Sequence, residues 1–512
     1  MTVLGLPRTY ITFGTIAGVL IVFLVFFRSI LFKSRLPPGP QGFPLIGNVL
    51  DLGFKPHEKL SLLKLRYGPL IWLRLGSINT VVISSARAAS EMFKHHDTSF
   101  CDRHVISTLM HDDSLHKGSI GLSDYGPYWK MIRRLCATEL FCKRRLENGM
   151  AMRRLCVDQL IGWISDEAKS NPGTAIEITR FAFAANFNLT GNLVLSKEDL
   201  ADPKSAVVNN FFNLTSEIME IIAKPNISDY FPFLSWLDLQ GLRKKTIKLS
   251  KMLAAITNGF VEERLQMRMS NCYHPANNCP DFLDVLIQFE GNGKDEPAKL
   301  SVKQIQTLMV EFFMAANEAI SITVEWALSE LLRNPEMMIT LKSEITEVVG
   351  RGEKFVEEHI QQLPYLNAII KETLRIHPPG AFTIPRKVRN DMEVMGYSIP
   401  KGTMVLVNIW GIGRDPDHWD DPNTFRPERF MGTEIDYRGR HFEYIPFGAG
   451  RRICPGLPLA QQMVQLMLGS LLQAFEWKLE EGLDPEKLDM SDKVRFSLRR
   501  AIPLKVVATP IN

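Results

Sequence analysis

The stretch FGAGRRICPG, residues 447–456, decides how the rest of the chain is read. Gly448 and Gly450 permit tight backbone bends and let the main chain approach a flat ligand closely. Cys454 lies in the same loop, and the apolar run LPLAQQMVQLMLGSLLQAF at 457–475 follows as a long helix. A thiolate just ahead of that helix faces unpaired N–H groups and the positive end of the helix dipole, and both stabilise its charge. Taken alone, a cysteine beside glycines is more often an inert buried residue. Its surroundings have to decide.

Working outward, KETLR at 371–375 places Glu372 and Arg375 on one face of a helix that ends at HPP, 377–379. On its own the pair reads as an ordinary surface ion pair worth little. FRPERF at 425–430 offers Arg429, and WKMIR at 129–133 puts Trp129 and Arg133 on one helical face. In FFMAANEAISITVEW, 312–326, the small residues Ala315, Ala316 and Ala319 interrupt an oily run, with Asn317 and Glu318 between them. Glu311, Glu318 and Glu325 recur at a spacing that alone reads as an acidic stripe on a solvated helix.

The 512 residues suffice for a large core, and length alone would suggest about three domains. No linker, repeat or low-complexity tract supports that division. With 60 basic against 56 acidic residues, the charge balance is too mild to argue for nucleic acid. The clusters CKRR (142–145) and LRKKTIK (242–248) read as solvated helix faces, a docking patch for an acidic partner being the minority reading. Seven irregularly spaced cysteines do not form a disulfide framework. CYHPANNC, 272–279, offers three metal ligands and no fourth nearby, so a plain polar loop is the better reading. The chain has neither a phosphate loop nor a GxGxxG between strand and helix, which argues against a nucleotide or nicotinamide cofactor of its own.

Residues 10–27, YITFGTIAGVLIVFLVFF, carry no charge and would rise about 27 Å as a helix, enough to cross a bilayer core. The following FFRSILFKSR is not the small-residue cleavage site of a signal peptide. Arg28, Lys33 and Arg35 follow the segment and only Arg8 precedes it, which places the body in the cytosol. The expected organisation is a lumenal 1–9, a transmembrane anchor 10–27, a basic and proline-rich hinge 28–48, and a cytosolic body 49–512. Sequons at Asn188, Asn213 and Asn226 then never meet the lumen. LPPGPQGFPLIGN, 36–48, favours a stiff extended segment that sets the angle of the body to the membrane, unless it is a bland linker. Helical spacing recurs at 86–95, 129–145, 150–168, 204–223, 246–268, 301–333, 335–349, 363–377 and 458–475. Strand-like alternation is confined to 69–84, 385–408 and 494–508, so the body is predicted to be mainly α, of the α+β class.

Together these motifs resemble the cytochrome P450 superfamily, the haem-thiolate monooxygenases, over essentially the whole chain. Phe447, Gly450, Arg452, Cys454 and Gly456 match its ligand loop, and Glu372 and Arg375 its E-x-x-R. The resemblance implies haem b with Cys454 as the metal ligand, and a buried Glu372–Arg375–Arg429 cluster. It also implies a mainly α fold with a long distal helix and a small β-rich subdomain. Trp129, Arg133, Arg386 and Arg452 would surround the haem propionates, since two carboxylates call for cations at the edge. DYFPFLSWLDLQG (229–241) and TVEW (323–326) look like the plant microsomal branch, which is anchored in the endoplasmic reticulum and served by NADPH–cytochrome P450 reductase. Thiolate ligation pushes electron density into the iron and favours O–O cleavage. Positioning, dryness and proton delivery fall to the protein.

The family's usual distal pattern is small–Gly–x–acid–Thr, and here it reads Ala315-Ala316-Asn317-Glu318-Ala319. The acid stays, the glycine has gained a methyl, and the alcohol is absent. Ser321 and Thr323 project from other faces of the helix. Glu318, Ala319 and Asn317 are the catalytic candidates. The missing alcohol favours an oxidation that inserts no oxygen, and the specific expectation is phenol coupling of a benzylisoquinoline alkaloid. Conventional hydroxylation of a terpenoid or phenolic substrate is the alternative, and a non-catalytic haem sensor is a third reading. A small hydrophobic or aromatic substrate would meet 101–122, 209–222, Met309 to Ala319 and GAFTI (380–384). Phe313 and Phe382 would serve as aromatic walls and Asn317 as a polar contact, though each also suits plain packing.

Overall fold

The computed structural model describes residues 36–110, 113–198, 200, 202–270, 280–350, 352–480 and 482–511, without the side chains of 113–115. The expected anchor, the first part of the hinge and the CYHPANNC loop lie outside these residues. The rest of the hinge is laced to the edge of a sheet. The Trp72 N–H donates to the Pro38 carbonyl at 2.9 Å, and the Asn48 N–H to the Arg74 carbonyl at 2.6 Å. A Cβ on Gly39 would stand 1.9 Å from the Trp72 oxygen, so this approach needs glycine.

The sheet interleaves distant parts of the chain. Strands β1 (Leu70–Leu75) and β2 (Ile78–Ile83) pair antiparallel, and β2 runs parallel to β5 (Met404–Val407) with Thr80 opposite Met404. Two short strands complete it, β4 (Arg386–Lys387) beside β5 and β3 (Asp102–Arg103) at the far edge. Residues three hundred positions apart share one ladder, which leaves no place for the three-domain division that length suggested.

Six helices position the site. They are α1 (Pro127–Leu135), α2 (Ile178–Leu195), α3 (Ala206–Ala223), α4 (Val302–Arg333), α5 (Pro364–Ile376) and α6 (Leu457–Ala474). Helix α4 starts at a capping box, in which Ser301 and Gln304 each satisfy the other's backbone N–H. Its first half buries Leu308, Met309, Phe312 and Phe313 against Phe183, Phe187 and Phe211 of α2 and α3. Its second half buries Ile320, Val324, Leu328 and Leu331 against α5 and α6. A helix inside two cores has no solvated stripe. Glu318 and Glu325 are only 4 % and 3 % exposed, which overturns the acidic-face reading of the seven-residue spacing. Each carboxylate persists because donors replace water, as the Leu504 N–H does for Glu325 at 2.8 Å. Among the described residues α4 is also the one helix long and apolar enough to cross a bilayer, and it spends that apolar surface on the interior.

Most predicted helices stand close to their expected bounds, and the departures include an unforeseen helix at Pro56–Tyr67. The run 129–145 is interrupted after α1 by a wide turn at Cys136–Leu140. Helix α2 was not foreseen, because ITRFAFAANFNLTGNLVL buries polar residues such as Asn186, Asn188 and Thr190 among its apolar ones and carries no amphipathic period.

Candidate functional site

The 447–456 loop folds back on itself, with the Cys454 N–H donating to the Phe447 carbonyl at 3.0 Å. Gly448 and Gly450 both adopt positive φ, +73° and +69°. Cys454 lies deep in the molecule but keeps part of its surface open. Burial pushes its thiol pKa up, while the Gly456 N–H, the Arg133 charge and the Leu457 N–H favour the thiolate. Those two amides belong to the start of α6, so the helix terminus does meet the sulfur.

Asp97 organises the loop from outside. It accepts from Arg386 Nη1 at 3.1 Å through one oxygen and from the Arg451 N–H at 2.8 Å through the other. A Cβ on Gly450 would stand 2.6 Å from Asp97 Oδ1, at a φ that L side chains resist. Gly450→Ala is therefore expected to destabilise the loaded enzyme by about 1–3 kcal/mol, read as a lower denaturation midpoint.

Three buried arginines converge nearby. Arg452 donates to the carbonyls of Cys101 (3.0 Å), Ile120 (3.4 Å) and Ser123 (2.6 Å), and lies 4.3 Å over the ring of Trp129. Trp129 Nε1 donates to the same Ile120 carbonyl at 2.9 Å. Arg103 donates to the carbonyls of Gly121 and Ile384 at 2.7 and 2.8 Å. Arg386 donates to the Ala449 carbonyl at 3.1 Å, and its buried Nε has no partner. Burial pushes the pKa of Arg103 far down, and the charges of Arg452 and Arg386 push it further. Such crowding of cations suits a ligand that brings negative charge.

On α4, Ala315 is exposed and Ala316 and Ala319 are half-exposed, although the residues around them are buried. The small side chains keep this face open. Their polar neighbours point elsewhere. Asn317 is fully buried, donating to the Phe313 carbonyl at 2.7 Å and accepting from Thr190 Oγ1 at 3.2 Å. Asn317 thus turns its amide toward Thr190 of α2 and a carbonyl of its own helix, away from the open face. Phe313 likewise packs among Phe187, Phe211 and Phe260 and is no pocket wall. Glu318 Oε1 accepts from Ser497 Oγ at 2.6 Å and Arg499 Nε at 2.9 Å. The hydroxyls of Ser321 and Thr323 return to the helix carbonyls of Asn317 and Ala319.

Away from the open face, Arg375 grips both oxygens of Glu372 at 2.7 Å each, and Arg429 Nε reaches the same carboxylate at 3.0 Å. The structure thus brings Glu372, Arg375 and Arg429 together. It sets Arg133 near Cys454, and Trp129, Arg386 and Arg452 around the loop. Sequence reasoning missed Asp97, Arg103, Glu311 and Arg499. Each acts through partners far away in sequence, so no local spacing could have revealed them.

The profile of the cytochrome P450 family matches residues 37–503 of this chain. The chain belongs to the cytochrome P450 family. It is 45 % identical to cytochrome P450 76A2 of Solanum melongena, covering 98 % of both chains. It is 43 % identical to an iridoid oxidase of Catharanthus roseus (97 % of this chain, 96 % of the relative). Geraniol 8-hydroxylase of the same plant is 42 % identical (97 % and 99 %). Among solved structures, a zebra fish cytochrome P450 with progesterone superposes with a TM-score of 0.75 at 26 % identity, covering 89 % of this chain and 99 % of that one. This P450 is therefore an oxidoreductase of the monooxygenase type with haem as its cofactor, and the sensor reading falls away. The residues present fit that group, with a sulfur at a helix start, unpartnered Arg386 Nε and crowded cations for its carboxylates. The named relatives give no support to the phenol coupling expected from Ala319.

Proposed function

We propose that this P450 hydroxylates a terpenoid substrate, using electrons from NADPH–cytochrome P450 reductase. The observation that carries this reading is the open alanine face of α4, an apolar surface beside which Asn317 and Glu318 are engaged elsewhere. The relatives named for geraniol and an iridoid support the substrate class. The haem, when bound, supplies the oxidising chemistry through thiolate ligation, for which Cys454 would be the ligand. Arg386, Arg452 and Trp129 would hold its edge, with Arg133 adding charge near the sulfur. Ala319 provides no alcohol, and the nearby hydroxyls and Glu318 are engaged, so protons would arrive by water along the open face.

The uncharged 10–27 segment and the cations after it support a single-pass anchor in the endoplasmic reticulum with the 49–512 body in the cytosol. The lacing of residues 38–48 to β1 supports a hinge that orients that body. The test is product mass. Microsomes carrying this P450 and the reductase, given geraniol and NADPH, are expected to yield a product with one added oxygen. A phenolic benzylisoquinoline that loses two hydrogens, with geraniol untouched, would restore coupling.

A further inference from the structure

One half-buried acid of α4 takes no part in the reading above. Glu311 precedes Ala315 by one helical turn and Ala319 by two, so all three share a face. Its Oε1 accepts from Ser119 Oγ at 2.9 Å and the Gly121 N–H at 2.6 Å, and its Oε2 from the Ile120 N–H at 2.8 Å. Ser119 Oγ in turn accepts from the N–H groups of Gly121 and Leu122 at 3.0 and 2.9 Å. The opposite edge of this loop is held by cations and an indole. The Ile120 carbonyl takes Trp129 and Arg452, and the Gly121 carbonyl takes Arg103. Burial pushes the Glu311 pKa up, and the loop's donors pull it back. A carboxylate this far from water needs donors in its place, and the three-residue loop 119–121 supplies them.

We propose that Glu311 is a positioning residue, whose carboxylate clasps the 119–121 loop to the open face of α4 and thereby sets which carbon of the substrate is presented for oxidation. The clasp stands on geometry alone; its effect on substrate rests on the terpenoid reading. Two variants approach it from opposite sides. Glu311→Ala removes the acceptor, and Gly121→Ala puts a Cβ 2.6 Å from Glu311 Oε1. In the full-length, haem-loaded enzyme, hydrogen exchange at the Ile120 and Gly121 amides is expected to quicken at least about tenfold in Glu311→Ala, with α4 unchanged. With geraniol, KM should rise about tenfold in both variants while kcat stays within about twofold, and the ratio of positional products should spread. Glu311→Gln, which keeps one acceptor oxygen, should fall between. Unchanged exchange at both amides overturns the clasp. Faster exchange with KM and product ratio unaltered overturns its role in specificity. If the wild-type enzyme leaves geraniol untouched, the terpenoid reading fails and the exchange rates alone decide the clasp.

Discussion

Cys454→Ser is expected to lower turnover at least about a thousandfold, roughly 4 kcal/mol of barrier, while leaving the fold intact. The surrounding loop has little reason to change. Its closure depends on the Cys454 N–H and the Phe447 carbonyl, and a serine oxygen could still accept from the Gly456 and Leu457 amides. What changes is the donor. A thiol ionises far more readily than an alcohol and gives a soft, electron-rich anion, which the helix start and Arg133 favour while burial opposes it. A serine hydroxyl in the same place stays protonated and cannot push electrons into a metal. Three measurements on one preparation separate these effects: the far-ultraviolet circular dichroism, the haem content and the absorption of the reduced carbonyl adduct. Unchanged dichroism with a displaced adduct band is the expected result. An adduct band at the wild-type position would remove Cys454 from the metal and with it the ligand assignment.

The parts of this site that were legible in the sequence are those in which function sits on consecutive residues. Cys454, its glycines and the following helix are contiguous, so one physical idea, a thiolate at a helix start, covers them all. Glu372 and Arg375 are legible for the same reason, being one turn apart on α5. Reading fails where a residue's meaning depends on a partner brought in by the fold. The spacing of Glu311, Glu318 and Glu325 is that of a solvated face, yet each finds donors from loops or strands far off in sequence. Nothing in a period distinguishes a charge facing water from one facing a backbone amide. Helix α2 was lost for the opposite reason, because burial on all sides erases the contrast that periodicity detects.

The distal pattern shows how the same limit misdirects chemistry. The absent alcohol at Ala319 suggested oxidation without oxygen insertion, as though that one side chain governed the outcome. In the structure the neighbouring polar groups are also committed elsewhere, Asn317 to α2 and Glu318 to Ser497 and Arg499. With those groups committed elsewhere, the alanine at 319 does not by itself decide between oxygen insertion and coupling.

Glu372→Ala should cost about 3–5 kcal/mol, because it strips the shared carboxylate from two buried guanidinium groups. Arg375 and Glu372 are 1 % and 0 % exposed. Besides the carboxylate, Arg375 satisfies the carbonyls of Gly413, Pro422 and Thr424 at 2.7, 2.6 and 3.2 Å, so it anchors the segment that leads to the ligand loop. Glu372 also accepts the Arg426 N–H at 2.8 Å. Removing the acid leaves Arg375 charged and desolvated beside Arg429, a loss large against a total stability of roughly 5–15 kcal/mol. The variant should therefore express poorly and retain little haem, with a denaturant midpoint far below that of the wild type at unchanged slope. Arg375→Lys tests whether charge alone suffices. One ammonium has three donors where the guanidinium makes five contacts, and it cannot grip both Glu372 oxygens in a plane. It should recover only a minor part of the loss. Recovery to the wild-type midpoint by lysine would show that the cluster works as a simple ion pair, and the geometric account of α5 would have to be abandoned.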